Sequence, residues 1–295
     1  MASAATHRIT KSDPTNAAVW LEHASSLSNA PASGRPQKSQ EWNSALNLDE
    51  VSALYKEVFE AQQVQRRLSG ARRLQRGQFE IATEIFPVQH FSGDFVCIFD
   101  QGDSTVIALG DVAGKGLTAA MWSTHVMSLV RSCSASLDAP GSIVSAINQN
   151  LCTVGSGVPI TTMFFATLDW QRNELTYSNA GHFPPFIRRG HSGVERLSVG
   201  GPALGVIPSS KFDQKCIRLA PSDLFIGYSD GLIECRNCDD EEFGIERLLA
   251  QAKHSRNLSA GKALFSIIAA AQDFAHGVQR TDDLTLLVVT GASSR

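Results

Sequence analysis

No stretch of this sequence is long and apolar enough to cross a bilayer; runs such as "LFSIIAAA" fall far short of the about eighteen residues a span requires. No charge excess exists either, with 26 Lys and Arg against 29 Asp and Glu, a net charge of −3 and a pI near 6.2, so the field of the whole chain does not favour nucleic acid. The first residues, "MASAATHRITK", lack an apolar core of the signal-peptide kind, which predicts the cytoplasm as the place of action. The 6 cysteines form no framework. Most lie in apolar runs such as "FVCIF" and "QKCIRL" and are expected to be reduced core residues. "CRNC", Cys235 to Cys238, has zinc or redox spacing, but no second Cys or His pair of matching spacing follows, so it is read as incidental. Nucleotide cradles are missing too. In "IALGDVAGKGLTAAMW" (107–122) only three residues separate Gly110 from Gly114, and Lys115 is followed by Gly116 rather than Ser or Thr, so this is no P-loop; nor does it contain Gly-x-Gly-x-x-Gly. What is left is an Asp at the end of a strand, before a tight turn, which suits a carboxylate presented to a metal.

With 43% hydrophobic and 19% charged residues, the chain can bury a sizeable core. Residues 1–45, rich in Ala, Ser, Asn and Pro, carry little periodicity and are expected to form a mobile polar tail. Over 46–77 a helical linker is expected: Leu48, Val51, Leu54, Tyr55, Val58, Phe59, Ala61, Gln62, Gln65 and Leu68 trace one helical stripe, and the basic run "RRLSGARRLQR" reads as its end. From 78 to 292 short strands alternate with turns and paired helices: "QFEIATEI", "FVCIF", "STVIALGD", helices near 116–133 and 142–152, then "TTMFFATLD", "ELTYSNAG", "PFIRR", "QKCIRL", "DLFIGYSD", helices near 244–252 and 261–274, and "LTLLVVT". The class is α/β, in layers, with mostly antiparallel sheets.

Carboxylates recur at the ends of these strands. A hairpin turning at Gly102 and Asp103 pairs residues whose numbers share one sum, which sets Asp94 opposite Asp111 at its open end. Like charges so placed repel unless a cation lies between them. Asp230 ends "DLFIGYSD", and Asp282 and Asp283 begin "DDLTLLVV". Any one alone would pass for a turn residue or a helix cap; together they suggest a site of oxygen donors, which selects Mg²⁺ or Mn²⁺ over zinc.

"FSGDF", "GDVAGKG", "NAGHFPP", "LGV", "GYSDGLIE", "EFG" and "DDLTLLVV" follow one another in the order and approximate spacing of the metal-dependent protein phosphatase (PPM) superfamily. The chain most resembles its bacterial branch of sporulation stage II E-like and stress-response phosphatases, over about residues 60–290. The resemblance implies an α-β-β-α sandwich of two mainly antiparallel sheets, here preceded by the amphipathic N-terminal helix. It implies two Mn²⁺ or Mg²⁺ ions that activate a bridging water for in-line attack on phosphoserine or phosphothreonine. Position by position it puts Asp94, Asp111, Asp230 and Asp282 on the metal ligands, with Asp283 the alternative to Asp282, and the Val112 carbonyl on the main-chain ligand. The implied partner is a phosphorylated protein, an anti-sigma-factor antagonist of a partner-switching pathway, with no nucleic acid and no membrane span. The apolar stripe of the 48–68 helix needs a surface to cover, either its own domain or the same helix of a second chain; related phosphatases pair through a helical linker, which favours the helix as a homodimer contact. The sequence departs from the family's usual Gly-Gly-Asp-Phe-Tyr-Asp by carrying Ser92 and Cys97 in "SGDFVC". His182 in "NAGHFPP" reads as a residue that orders its loop, and Lys115 as a turn residue or a phosphate-side contact. The rival readings are a catalytically silent scaffold, against which stands the retention of every expected ligand, and a phosphodiesterase, which usually adds histidine ligands absent from these motifs.

Overall fold

The computed structural model describes residues 48–190, 193–255 and 257–291. The expected tail over 1–45 lies outside the described residues. Helix α1 spans Leu48–Leu68. It stops where Ile98 N donates to the Ser69 carbonyl (3.1 Å) and Gly70, at φ +84°, bridges to Ile98. The basic run is the expected helix end only in its first part, where Arg66 and Arg67 sit in the last turn; its second part is strand β1 (Arg73–Arg76), which pairs antiparallel with β2 (Phe79–Phe86). The reason is alternation: Leu74 packs toward the core while its neighbours Arg73 and Gln75 stay at the surface. The sheet thus begins ahead of the boundary expected at 78.

A hairpin of β3 (Phe95–Gln101) and β4 (Ser104–Val112) follows, then helices α2 (Gly116–Ser136) and α3 (Pro140–Thr153). Strands β5 (Thr161–Asp169), β6 (Glu174–Ala180), β7 (Phe186–Arg188), β8 (Val194–Arg196), β9 (Gly200–Gly201), β10 (Lys215–Arg218) and β11 (Leu224–Tyr228) come next. The short helix α4 (Asp230–Ile233), then α5 (Gly244–His254), α6 (Ala260–Ala275) and strand β12 (Leu284–Gly291) complete the described chain. One sheet has the order β1-β2-β12-β11-β7-β8 and the other β10-β6-β5-β4-β3, with β9 against β6. All these pairs are antiparallel except β6–β9.

The period of two in each strand separates three cores. Val96, Ile107, Phe164, Phe225 and Leu287 fill the space between the sheets. Their neighbours Phe95, Ala108 and Phe165 face α2 and α3, whereas Ile226, Leu286 and Val288 face α4, α5 and α6. This is the expected α-β-β-α sandwich, with side chains buried on both faces of both sheets.

The cysteines need one correction. Cys216 is exposed rather than core, because β10 is an edge strand whose inward residue is Ile217. In "CRNC", Cys235 is buried with its thiol near the Ala271 carbonyl (3.8 Å) while Cys238 is exposed.

Candidate metal centre

The β3–β4 hairpin has the register that its sequence implies: Gln101 faces Ser104 and Phe95 faces Gly110. Asp94 and Asp111 are the next residues beyond that last pair, at the open end. Asp94 is buried, 3% exposed, and its Oδ2 accepts from Thr285 Oγ1 of β12 at 2.6 Å. β12 belongs to the other sheet, so this bond joins the two sheets beside the carboxylate. Burial drives the pKa of Asp94 well above the usual carboxylate range; the Thr285 bond opposes that, and the charge of Asp111 adds to it. Asp111 itself is pushed up to about 6, by burial first and then by the charges of Asp230, Asp282 and Asp283.

Gly93 shows where the oxygens converge. A Cβ added there would lie 3.0 Å from the Val112 carbonyl oxygen and 3.3 Å from Asp111 Oδ1, so both border a space that only glycine leaves open. Gly231 does similar work on the opposite side: a Cβ would come within 2.0 Å of the Asp283 carbonyl oxygen. That close approach, with Ser229 Oγ donating to the same carbonyl (3.2 Å) and accepting from Thr285 N (2.9 Å), holds Asp230 beside Asp282. Asp230 is raised as well, by burial and then by Asp282.

The doubled aspartate divides its work. Asp283 points inward, where Oδ1 accepts from Val88 N (2.8 Å) and Oδ2 from Ser92 Oγ (2.8 Å) and Gly93 N (2.9 Å). It pins the loop that carries Asp94. Asp282 points outward; its Oδ2 lies 3.0 Å from Lys115 Nζ. Ser92, a departure from the family's glycine, is therefore a working hydrogen-bond donor. Cys97 is sealed in the core facing α2, and burial pushes its thiol up to about 12, so no carboxylate-like role falls to it.

His182 sits on the flank. Its backbone N–H donates to Asn179 Oδ1 (2.8 Å), and its Nδ1 lies 2.9 Å from Oγ1 of Thr162, the strand partner of Asp111. Burial lowers its pKa to about 4, so at neutral pH the ring is uncharged. It orders the loop, as its Gly-Pro setting suggests.

These donors fit divalent cations. All are oxygens, several carry raised pKa values that a cation would reverse, and Gly93 leaves room beside two of them. Among the described residues no three acidic, His or Cys side chains close around one point.

Comparison with known proteins decides the family. The model for stage II sporulation protein E (SpoIIE) matches residues 101–291, a span that holds Asp111, Asp230, Asp282 and Asp283 and starts after Asp94. The chain belongs to the SpoIIE family of PP2C-type serine/threonine phosphatases. Members of this family depend on Mg²⁺ or Mn²⁺. Protein IcfG of Synechocystis is 31% identical over 243 residues, covering 72% of this chain and 38% of IcfG. Phosphoserine phosphatase RsbU of Bacillus subtilis is 28% identical over 240 residues, 79% of this chain and 69% of RsbU. The chain thus spans well under half of the first relative. Among solved structures, the SiaA-PP2C domain of Pseudomonas aeruginosa superposes with a TM-score of 0.70 at 17% identity, over 81% of this chain and 97% of that one. RsbX in complex with magnesium gives 0.58 at 16% identity, over 75% and 98%. These two likenesses speak for the fold. Among the described residues no helix is long and apolar enough to cross a membrane.

Proposed function

We propose that this SpoIIE-family chain hydrolyses phosphoserine or phosphothreonine on a regulatory protein, of the class of anti-sigma-factor antagonists, in a partner-switching pathway. One observation carries the reading: Asp111, held at about 6 chiefly by burial and then by Asp230 and Asp282, marks an anionic focus drawn from both sheets that calls for divalent cations. Asp94, Asp111, Asp230, Asp282 and the Val112 carbonyl would hold two Mn²⁺ or Mg²⁺ ions. When bound, such ions supply a nucleophilic hydroxide at neutral pH and offset charge on the phosphoryl oxygens. The protein's part is to preorganise the donors. Thr285 orients Asp94, Ser229 fixes the turn that presents Asp230, and Asp283 pins the loop before Asp94. We assign Asp283 to that anchoring and Asp282 to the ligand set, because the bonds to Val88, Ser92 and Gly93 occupy both Asp283 oxygens. The name of RsbU, a phosphoserine phosphatase, supports the substrate chemistry.

A homodimer through α1 belongs to the same reading. The helix is held to the domain mainly near its C-terminal end, through Gln65 Nε2 to the Ser92 carbonyl (2.8 Å) and a contact of Gln62 with the His90 carbonyl, with the Tyr55 ring edge-on to His90. Leu54, Tyr55 and Phe59 remain 60–62% exposed, an apolar face suited to a second copy of the helix. Since Gln65 holds the residue next to Gly93 and Asp94, pairing there would bear directly on the site. The enzymatic reading is tested by phosphate release from a phosphoserine peptide. Turnover should require Mn²⁺ or Mg²⁺, stop with chelator and vanish in Asp230→Asn; turnover that persists in chelator refutes it.

A further inference from the structure

Lys115 is the one residue of the "GDVAGKG" turn whose side chain the metal ligands do not explain. Its ammonium lies 3.0 Å from Asp282 Oδ2 and donates to the Thr281 carbonyl at 2.6 Å, and its charge favours the ionised form of Asp230. Arg236 and Arg280, which line the cleft that also holds Thr281 and Asp282, are committed elsewhere. Arg280 donates to the Phe86 carbonyl (2.8 Å) and lies over the Phe86 ring, and Arg236 pairs with Asp240 and Glu242. Lys115 and Asp282 are both about half exposed, so the pair is solvated and readily exchanged.

We propose that Lys115 is a place-holder for a divalent cation on Asp282, and that the cation, on binding, releases its ammonium to the substrate phosphate. This rests on the metal-ion reading above. An ammonium on Oδ2 and a divalent ion ligated by the same oxygen exclude each other by like charge and by volume. The Lys115 ammonium, once freed from Asp282, is the cation of this turn that a phosphate dianion can engage. Its stem is flexible and its three donors rotate freely, so it can serve first a carboxylate and then a phosphate without moving the backbone. Lys115 is thus a positioning residue that links loading of the site to capture of the substrate.

The test compares Lys115→Met and Lys115→Gln with wild type, by calorimetric titration of Mn²⁺ without substrate and by steady-state kinetics on a phosphoserine peptide. Loss of an exposed competitor pair should tighten Mn²⁺ binding by about two- to fivefold. KM for the peptide should rise by about fivefold or more, as loss of one charge-assisted contact implies, while Lys115→Arg keeps KM near wild type. Thermal melting without Mn²⁺ checks that each variant is folded. Mn²⁺ binding that is unchanged or weaker in both neutral variants overturns the place-holder, and an unchanged KM overturns the phosphate contact. Wild type that binds no Mn²⁺ would instead refute the metal-ion reading beneath it.

Discussion

Asp282 and Asp283 are adjacent and chemically identical, yet single substitutions should separate them cleanly. In Asp283→Ala three hydrogen-bonded donors, Val88 N, Ser92 Oγ and Gly93 N, lose their acceptor. Val88 N is exposed and regains water, so two part-buried bonds to a charged acceptor carry the loss, each about 1.5–3 kcal/mol net. Relief of repulsion on Asp94 and Asp111 offsets part of this. A net loss of about 2–3 kcal/mol corresponds to a fall in melting temperature of about 5–10 °C for a domain of this size. In Asp282→Ala the lost contacts are a half-exposed pair with Lys115 and a local bond from Asp283 N (2.9 Å). Stability without ions should therefore change by no more than about 1 kcal/mol. Mn²⁺ reverses the order. At a hundred times its Kd, an ion stabilises by about 2.7 kcal/mol; Asp283→Ala should retain much of that upshift and Asp282→Ala should lose it. Differential scanning fluorimetry with chelator and with Mn²⁺ reads both quantities. If Asp283→Ala keeps wild-type stability in chelator yet loses the Mn²⁺ upshift, Asp283 is the ligand and the anchoring role is wrong.

Three further outcomes follow from the same charges and surfaces. A carboxyl raised from 3.8 to about 6 costs the ion-free fold stability as pH rises through that window, so Asp111→Asn in chelator should melt higher than wild type at pH 7.5, by up to about 3 kcal/mol, and show little difference below pH 4; a lower melting point at pH 7.5 would make Asp111 structural. His182 has the opposite sense: the unfolded chain takes its proton near 6.5 and the folded chain only near 4, so wild type should lose about 3 kcal/mol over that fall in pH, and a His182→Gln variant with the same slope would refute the assignment. Phe59→Asp, on the 60% exposed face of α1, should leave the melting temperature within about 2 °C, as surface substitutions do, and shift the sedimentation of wild-type dimer to monomer; wild type that sediments as a monomer at tens of micromolar removes the dimer.

The sequence made legible what local periodicity controls. "TTMFFATLD" is an apolar run buried on both faces and bounded by polar residues, and strand β5 has the expected ends, Thr161 and Asp169; the two-residue turn at Gly102 and Asp103 fixed the register that brings Phe95, next to Asp94, opposite Gly110, next to Asp111. Helix ends were less legible; α2 runs on to Ser136 and α3 starts at Pro140, since helical periodicity fades where a chain leaves the core. β1 was hidden in a run of arginines whose charge resembled a helix terminus, and β8 and β9 are too short to show any period. In the site, the aspartates could be found because each ends or begins a strand. Their supports could not. Ser92 and Asp283, or Asp94 and Thr285, meet only because β12 returns beside β2 after almost the whole domain has been laid down, and no local pattern encodes that contact.

Counting Mn²⁺ ions bound at equilibrium at pH 7.5, by electron paramagnetic resonance of free Mn²⁺, tests the central claim most directly. The account predicts two ions per wild-type chain and loss of at least one in each of Asp94→Asn, Asp111→Asn, Asp230→Asn and Asp282→Asn, with circular dichroism unchanged. Wild type that binds no Mn²⁺, or an Asp230→Asn variant that binds as many ions as wild type, would contradict it.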